Sequence, residues 1–486
     1  MKINELQNAA LFRQQCYVDG VWVDADDRNI IEVVNPANNE VLGSVPDMGT
    51  AETNVAIAAA DTAFKAWCSK TAAERGQILH RWYELMLENQ EDLGALMTLE
   101  QGKPLAEAKG EIAYAASFLQ WFSEEAKRAY GDTIPAAKAG QHIVVIKQPV
   151  GVSAAITPWN FPAAMITRKA GAALAAGCSM VVKPASETPF SALALAELGE
   201  RAGLPAGVFN VITGSAREIG QALNSNGTVR KISFTGSTEV GRILMRQSAE
   251  HIQKISLELS GNAPFIVFDD ADIDRAVEGA IASKFRNTGQ TCVCVNRFIV
   301  QDTVHDVFVE KLKQEMQKLK AGDGFEEGVN QSALINDAAV RKVEEHLHNA
   351  LEGGATILTG GGPHPLGGHF VSPTLVTGVN PDMMVCREET FGPLAAIIRF
   401  QSEEEAIDIA NDTPFGLSAY FYSRDIHRIW RVAEALEAGM IGINEGIISN
   451  PAAPFGGVKE SGLGREGSKY GMEEYMEVKY LCMGSE

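Results

Sequence analysis

The chain has 486 residues, of which 45% are hydrophobic and 21% are charged. This length predicts two or three domains, and the composition is that of folded globular proteins rather than of disordered chains. A net charge of −20 argues against a nucleic-acid partner and against a polybasic contact with membranes. The seven cysteines do not suggest a disulfide framework, and the sequence shows neither a signal peptide nor an apolar run of about 18 residues. We therefore expect a cytoplasmic protein that does not span a membrane.

The first 150 residues combine helical patterns with one extended segment. Apolar residues recur at three- and four-residue spacing over 51–67, 72–103 and 106–131, which predicts helices. A glycine and a proline supply the stop signal at the end of the second pattern. Residues 133–150 contain prolines and β-branched residues and predict an extended ribbon.

From residue 150 to residue 259, short apolar runs alternate with helical stretches. Such alternation predicts a parallel sheet with helices on both faces, which is a doubly wound α/β architecture. A second α/β block follows over residues 260–440 and includes a glycine-rich stretch, 353–368, that reads as a loop.

Two predicted strand ends carry residues suited to a dinucleotide, since ligands of doubly wound sheets bind beyond the carboxyl ends of the strands. Lys183 and Ser186 follow one strand, and Gly236, Ser237 and Thr238 open a helix after another. Free N–H groups at such a helix start suit a phosphate. The match to G-x-G-x-x-G is imperfect, however, and a tight strand-to-helix junction explains the turn equally well.

The residue at position 186 bears on the type of cofactor. A carboxylate there would repel the 2′-phosphate of NADP, whereas Ser186 beside Lys183 permits it, with NAD still possible. Glu187 is adjacent and could face the same pocket. The alternative interpretation is a surface lysine followed by an ordinary helix cap.

The segment FRNTGQTCVCVN, residues 285–296, places two cysteines one residue apart. A zinc site would need four ligands, and the sequence offers no second Cys/His pair at the usual spacing, so we expect no metal. A disulfide between Cys292 and Cys294 would be strained and is disfavoured in the cytosol. A nucleophile would need an oxyanion donor, a group that activates water and a hydride acceptor; without them a cysteine is more often a small core residue.

Further motifs supply those partners and identify a family resemblance. The motifs are PWNFP at 158–162, KPASETP at 183–189, FTGS at 234–237, LELSGNAP at 257–264, GQTCVC at 289–294 and EETFGP at 388–393. Together and in this order they resemble the aldehyde dehydrogenase superfamily over essentially the whole chain. Within it, the resemblance points to bacterial NADP-dependent enzymes that oxidise succinic semialdehyde to succinate in 4-aminobutyrate breakdown.

The resemblance implies a role for each motif. Cys292 would attack the aldehyde, the Asn160 amide and the Cys292 backbone N–H would hold the oxyanion, and Glu258 would activate water to hydrolyse the thioester. The implied cofactor-binding residues are Trp159, Lys183, Ser186, Ser237, Thr238, Leu259 and Glu389. In isolation each residue has a more ordinary explanation, such as a turn residue or a solvated strand end.

A carboxylate at the far end of the substrate needs a cationic clamp, and the resemblance assigns this role to Arg168, Arg286 and Ser449. Glutaric semialdehyde is a credible second substrate because one methylene changes binding by only about 1–3 kcal/mol. If the arginines instead make ordinary ion pairs, the substrate would be a neutral aldehyde.

Two features depart from a simple reading. Ser260 stands where the family usually has glycine, beside Glu258, and gives some support to a catalytically impaired binding protein of the same fold. Cys294 is a candidate redox brake that would pair reversibly with Cys292, although a small buried side chain explains it equally well.

The resemblance also implies the domain organisation. We expect a Rossmann-like cofactor-binding domain over residues 1–127 and 147–259, and an α/β catalytic domain over 260–445. A small β oligomerisation element would comprise 128–146 and 472–486, and residues 446–471 would return to the junction of the two larger domains. Bare edge strands in that element predict a homodimer or homotetramer.

Overall fold

Two large sheets flanked by helices organise the computed structural model, which describes residues 3–362 and 364–484. The strands of the first sheet, in spatial order, are Val21–Val23, Cys16–Val18, Phe209–Val211, Ser179–Lys183, Val152–Ile156, Val229–Thr235, Lys254–Glu258 and Gly462–Leu463. The five strands from Phe209–Val211 to Lys254–Glu258 run parallel, and the outer strands pair antiparallel.

The strand order reverses at the centre of this sheet. From Val152–Ile156 the chain moves outward in one direction, and it then crosses over to place Val229–Thr235 on the other side of the same strand. This reversal is the topological switch point at which doubly wound sheets bind ligands. The predicted doubly wound architecture is confirmed.

The second sheet is also mainly parallel. Its strands, in spatial order, are Thr356–Thr359, Thr374–Thr377, Leu394–Phe400, Val295–Gln301, Ala263–Val267, Ser418–Tyr422 and Met440–Ile443. Only the pairing of the first two is antiparallel. The strand Thr356–Thr359 lies inside the stretch 353–368 that was predicted as a loop, so that prediction was wrong. The glycines on both sides suggested a loop, although the short run between them contains β-branched residues that favour a strand.

Helices cover both sheets. Those of the first 260 residues are Thr50–Trp67, Ala72–Glu88, Gln90–Gln101, Leu105–Glu125, Ala164–Ala176, Pro189–Arg201, Ala216–Ser225 and Thr238–Ser248. Those that follow are Ile273–Phe285, Asp302–Met316, Asp337–Glu352, Met384–Arg387, Glu403–Asn411, Ile426–Ala435 and Ser468–Glu473. Among the described residues, no helix is both long and apolar enough to cross a bilayer.

Local capping explains the helix boundaries near the site. The predicted helix over 72–103 is broken at Asn89, whose side chain donates to the Leu85 carbonyl at 2.8 Å and so competes with the helical bonding. Gly102 ends the next helix with a left-handed φ of 92°, a conformation that glycine adopts without a Cβ penalty. The chain then turns toward helix Leu105–Glu125, which packs on the fully buried helix Ala164–Ala176.

The extended ribbon forms a third, antiparallel sheet. Gln141–Pro149 is its central strand and pairs on one side with Asp132–Ile134 and on the other with Met476–Gly484. Two further antiparallel pairs join Ile30–Val34 to Val41–Pro46 and Phe415–Gly416 to Val458–Lys459.

Candidate active site

A cavity of about 540 Å³ opens at the switch point of the first sheet and is closed on its far side by residues of the second α/β region. Seven of the residues predicted from the sequence line it: Trp159, Asn160, Ser237, Glu258, Leu259, Cys292 and Glu389. They come from segments up to 230 positions apart. Five of them lie at the carboxyl ends of parallel strands of the first sheet, which share one edge, whereas Cys292 and Glu389 come from loops that precede strands of the second sheet.

Asn160 follows the central strand and is held against the loop that carries the cysteine. Its Nδ2 donates to the Gln290 carbonyl at 3.0 Å, and its backbone carbonyl accepts from Asn287 Nδ2 at 3.1 Å. An amide nitrogen carries two hydrogens, so the second N–H of Asn160 is left for a developing oxyanion in the cavity.

Cys292 is partly buried and lines the same cavity. Burial raises the pKa of its thiol to about 12, since the positive charge of Arg168 lowers it by less and the carboxylates of Glu258 and Glu389 raise it further. The thiol is therefore protonated at neutral pH, and attack on an aldehyde requires a base to take its proton.

Glu258 ends the strand Lys254–Glu258 and is buried. Neither of its carboxylate oxygens has a hydrogen-bond partner among the described residues. Burial, together with the nearby charge of Glu466, raises the pKa of Glu258 well above its usual range, while Arg168 and Lys169 oppose the shift. A carboxylate with a raised pKa that lines the cavity is a stronger base than an ordinary carboxylate, which suits it to accept a proton from a reacting group.

Glu466 was not predicted from the sequence, yet it sets the charges around Glu258. It forms buried ion pairs with Arg168 and Lys169, and it accepts a hydrogen bond from Ser233 at 3.2 Å. Glu466 and its two cationic partners lie nearly 300 residues apart in the sequence, so no local pattern could have indicated that they interact.

Arg168, predicted to clamp the substrate, is fully buried and engaged with Glu466. Its guanidinium carbon lies 4.1 Å from the Phe455 ring centroid, and Nη2 lies 3.1 Å from the Met165 sulfur. Arg168 does not line this cavity, and it does not line the adjacent cavity described in the next paragraph, as far as the described residues show. Its charge reaches Cys292 electrostatically, and direct contact with a substrate carboxylate stays a prediction.

A neighbouring cavity of about 320 Å³ contains the other two predicted substrate residues, Arg286 and Ser449. Arg286 Nη1 donates to Ser449 Oγ at 3.3 Å, and its guanidinium lies 4.8 Å from the Phe161 ring centroid. Tyr114, which was not predicted because it lies within a helical pattern, lines the same cavity; burial raises the pKa of its hydroxyl, opposed by Arg168, Arg286 and Ser449. Together these groups can bind a carboxylate.

The remaining cofactor candidates lie at strand ends beside the first cavity. Ser237 Oγ accepts from Val240 N at 3.4 Å and caps a helix, whereas Thr238 is turned away and donates to the Glu460 carbonyl at 3.3 Å. Lys183 and Ser186 are not among the residues that line the cavity. Burial lowers the pKa of Lys183, opposed by Glu187 and Asp47.

Ser260 lies close enough to Glu389 to affect its ionisation. Its hydroxyl lowers the pKa of the Glu389 carboxylate, and so does the hydrogen bond that this carboxylate accepts from Gly261 N at 3.1 Å. Burial nonetheless raises the pKa of Glu389 to about 7. The serine that departs from the family pattern thus affects the ionisation of a predicted cofactor ligand, and it forms no hydrogen bond with Glu258 among the described residues.

Cys294 points away from the first cavity. Its Sγ lies 3.5 Å from the Lys284 carbonyl, and the residue lines a small separate pocket with Arg286 and Tyr420. All seven cysteines are free thiols. The two thiols line different cavities, and the redox role of Cys294 stays a prediction.

The cavity fits a nicotinamide dinucleotide. It lies at the switch point, and its lining includes a capped helix start, the aromatic Trp159, Glu389 and Cys292. Trp159 packs edge-on against Phe391 with ring centroids 5.6 Å apart, which gives the cavity an aromatic wall.

Comparisons with known proteins agree with this arrangement. A profile of the aldehyde dehydrogenase family matches residues 22–481. The chain is 64% identical over 480 residues to glutarate-semialdehyde dehydrogenase of Pseudomonas aeruginosa, covering 99% of both proteins. It is 64% identical over 484 residues to succinate-semialdehyde dehydrogenase [NADP(+)] of Escherichia coli, covering 100% of both. A crystal structure described as an E. coli NADP dependent enzyme superposes with a TM-score of 0.99 at 64% identity, covering 99% of this chain and 100% of that one. The chain therefore belongs to the aldehyde dehydrogenase family.

Proposed function

We propose that the protein oxidises succinic semialdehyde to succinate with NADP. The observation that carries this proposal is the single cavity in which Cys292, Asn160 and Glu258 meet at the switch point of a doubly wound sheet. The adjacent cavity with Arg286 and Ser449 supports a substrate that ends in a carboxylate. The name of the E. coli relative states the same substrate and cofactor for that protein.

The chain's own groups supply the acid–base chemistry. The Cys292 sulfur attacks the aldehyde carbon and its proton passes to Glu258, while Asn160 Nδ2 and the Cys292 backbone N–H stabilise the oxyanion of the thiohemiacetal. A nicotinamide bound in the cavity would supply the acceptor for the hydride of this carbon. Glu258 then releases the first proton to solvent, and it takes a proton from the water that attacks the thioester carbon. The carbon–sulfur bond breaks, Glu258 returns that proton to the Cys292 sulfur, and succinate leaves.

NADP is proposed over NAD because position 186 is a serine. Ser186 is half-buried beside Lys183, and a carboxylate in its place would repel a 2′-phosphate. Trp159, Leu259 and Glu389 would line the nicotinamide end of the cavity. NAD remains the second cofactor to be tested.

Glutaric semialdehyde is the second candidate substrate. The relative from P. aeruginosa is a glutarate-semialdehyde dehydrogenase with the same 64% identity as the E. coli protein. One extra methylene changes binding by about 1–3 kcal/mol, so both semialdehydes fit one carboxylate clamp.

The decisive experiment compares kcat/KM for succinic semialdehyde, glutaric semialdehyde and butanal, each with NADP and with NAD. The proposal predicts the highest value for a semialdehyde with NADP, and no turnover in Cys292→Ala. Equal values for butanal would favour a neutral-aldehyde dehydrogenase. The absence of turnover with every substrate would favour a binding protein of the same fold.

The three-stranded sheet supports a homodimer or homotetramer. Along Met476–Gly484, Val478 is 70% exposed and Tyr480 59% exposed, and this strand forms an edge of its sheet. Exposed apolar edge strands are normally covered by another chain. In analytical ultracentrifugation, the variant with Val478→Glu and Tyr480→Glu should sediment as a smaller species. The control Val55→Glu, at an exposed valine elsewhere, should not. An unchanged mass in both variants would contradict this interface.

A cytoplasmic location also remains our proposal, supported by seven free thiols.

A further inference from the structure

A buried lysine–glutamate pair lies behind the proposed oxyanion site. Lys103 follows the helix that ends at Gln101, and Glu111 lies on helix Leu105–Glu125. Each of the two side chains is only 1% exposed, and they form a direct ion pair. Neither residue has a part in the chemistry proposed above.

The pair bonds to the backbone of the segment that carries Asn160. Lys103 Nζ donates to the Asn160 carbonyl at 2.7 Å and lies 4.1 Å from the Phe161 ring centroid. One Glu111 oxygen pairs with Lys103, and the other accepts from Ala163 N at 3.0 Å. Both ends of the segment from Asn160 to Ala163 are therefore fixed by one pair of charges.

Stability alone is a weak reason for such a pair. Burying two charges carries a desolvation penalty of several kcal/mol per ion, and replacing a buried ion pair by neutral groups of similar size is often neutral or stabilising, at about 1–4 kcal/mol. Charge-assisted bonds do, however, fix direction. Here they fix the peptide whose side chain donates to the Gln290 carbonyl, two residues before Cys292.

We propose that Lys103 and Glu111 are positioning residues that hold the Asn160 amide at the oxyanion site. This rests on the proposed function, in which Asn160 donates to the oxyanion. Their effect on the rate must then pass through Asn160, so it should vanish when the Asn160 amide is removed.

A double-mutant cycle tests this dependence. Lys103→Met with Glu111→Gln removes both charges, and the glutamine keeps an acceptor for Ala163 N. Single-turnover formation of the reduced nicotinamide is measured in four proteins: the unchanged enzyme, this pair variant, Asn160→Ala, and the combination. If the pair variant does not fold, Glu111→Gln alone replaces it, because it preserves size and the acceptor.

The expected values follow from the role of an oxyanion donor. Asn160→Ala should slow hydride transfer about 10²- to 10³-fold, and the pair variant should slow it roughly tenfold with Asn160 present but less than about twofold in the Asn160→Ala background. The KM for NADP should not change. Lys109→Met with Glu91→Gln removes an exposed ion pair from the same two helices and should leave the rate unchanged.

Three results would overturn the proposal: the same loss in both backgrounds, no loss in the pair variant, or no effect of Asn160→Ala. The cycle is run with succinic semialdehyde and with butanal. If the unchanged enzyme oxidises butanal but not succinic semialdehyde, the proposed substrate is refuted. The cycle measured with butanal then still decides whether Lys103 and Glu111 position Asn160.

Discussion

Arg286→Met should separate the carboxylate clamp from the catalytic groups. The Arg286 guanidinium lies in the substrate cavity, is half-buried, and already donates to Ser449. Methionine keeps the packing on Phe161 but removes the charge. Butanal resembles succinic semialdehyde without its carboxylate, and it should be oxidised by the variant almost as well as by the unchanged enzyme.

The size of the effect follows from the burial of the guanidinium. A hydrogen bond to a charged group contributes about 1.5–3 kcal/mol. Because Arg286 is only half-buried, solvent screening favours the lower part of this range, about 1.5–2 kcal/mol, which is roughly a 10- to 30-fold loss in kcat/KM for succinic semialdehyde at about 1.4 kcal/mol per tenfold.

The assay measures kcat/KM for both aldehydes at saturating NADP. Arg431→Met is the matched control, since Arg431 is exposed and pairs with Glu403 on the surface. An equal loss for both aldehydes in Arg286→Met would refute the clamp and would assign Arg286 a structural role.

Three further predictions concern charge. Glu466→Gln should destabilise the fold by about 3–5 kcal/mol, since it leaves two buried cations without their partner. It should also move the pH midpoint of thioester hydrolysis to lower pH, because the Glu466 carboxylate raises the pKa of Glu258; a midpoint that stays or rises would contradict the coupling. Ser186→Glu should lower kcat/KM with NADP by about 10- to 100-fold and spare NAD, because a new carboxylate repels the 2′-phosphate; equal losses would exclude Ser186 from the ribose site. With a pKa of about 12, Cys292 in the cofactor-free enzyme should be alkylated about tenfold faster per pH unit from neutral to mildly alkaline pH. A plateau near pH 7, measured with Cys294→Ala as the background, would show that the thiol is already ionised.

Much of the fold could be predicted because its signals are local. The alternation over residues 150–259 reflects strand and helix periods, and it gave the parallel sheet and hence the edge at which Asn160 and Glu258 meet. The break at Asn89 was missed because a side-chain bond to the backbone outweighed a continuous apolar pattern.

The site was predicted unevenly for a physical reason. The motif residues are recognisable one by one, and the family comparisons confirm the resemblance that they carry. The charges around the site come from residues far apart in sequence. Glu466 forms an ion pair with Arg168, and Lys103 donates a hydrogen bond to the Asn160 carbonyl. Only the folded chain shows which cation is free for a substrate.

In the proposed mechanism Cys292 carries the acyl group and Glu258 releases it. Glu258→Gln enzyme, mixed with NADP and succinic semialdehyde and quenched in acid, should carry a succinyl adduct on Cys292 when its peptides are analysed by mass spectrometry. Hydride transfer should still occur in a single burst, slowed because Glu258 no longer takes the Cys292 proton, while steady-state turnover should fall by about 10²–10⁴-fold. A burst without an adduct on Cys292, or an adduct on Cys294 instead, would contradict this mechanism.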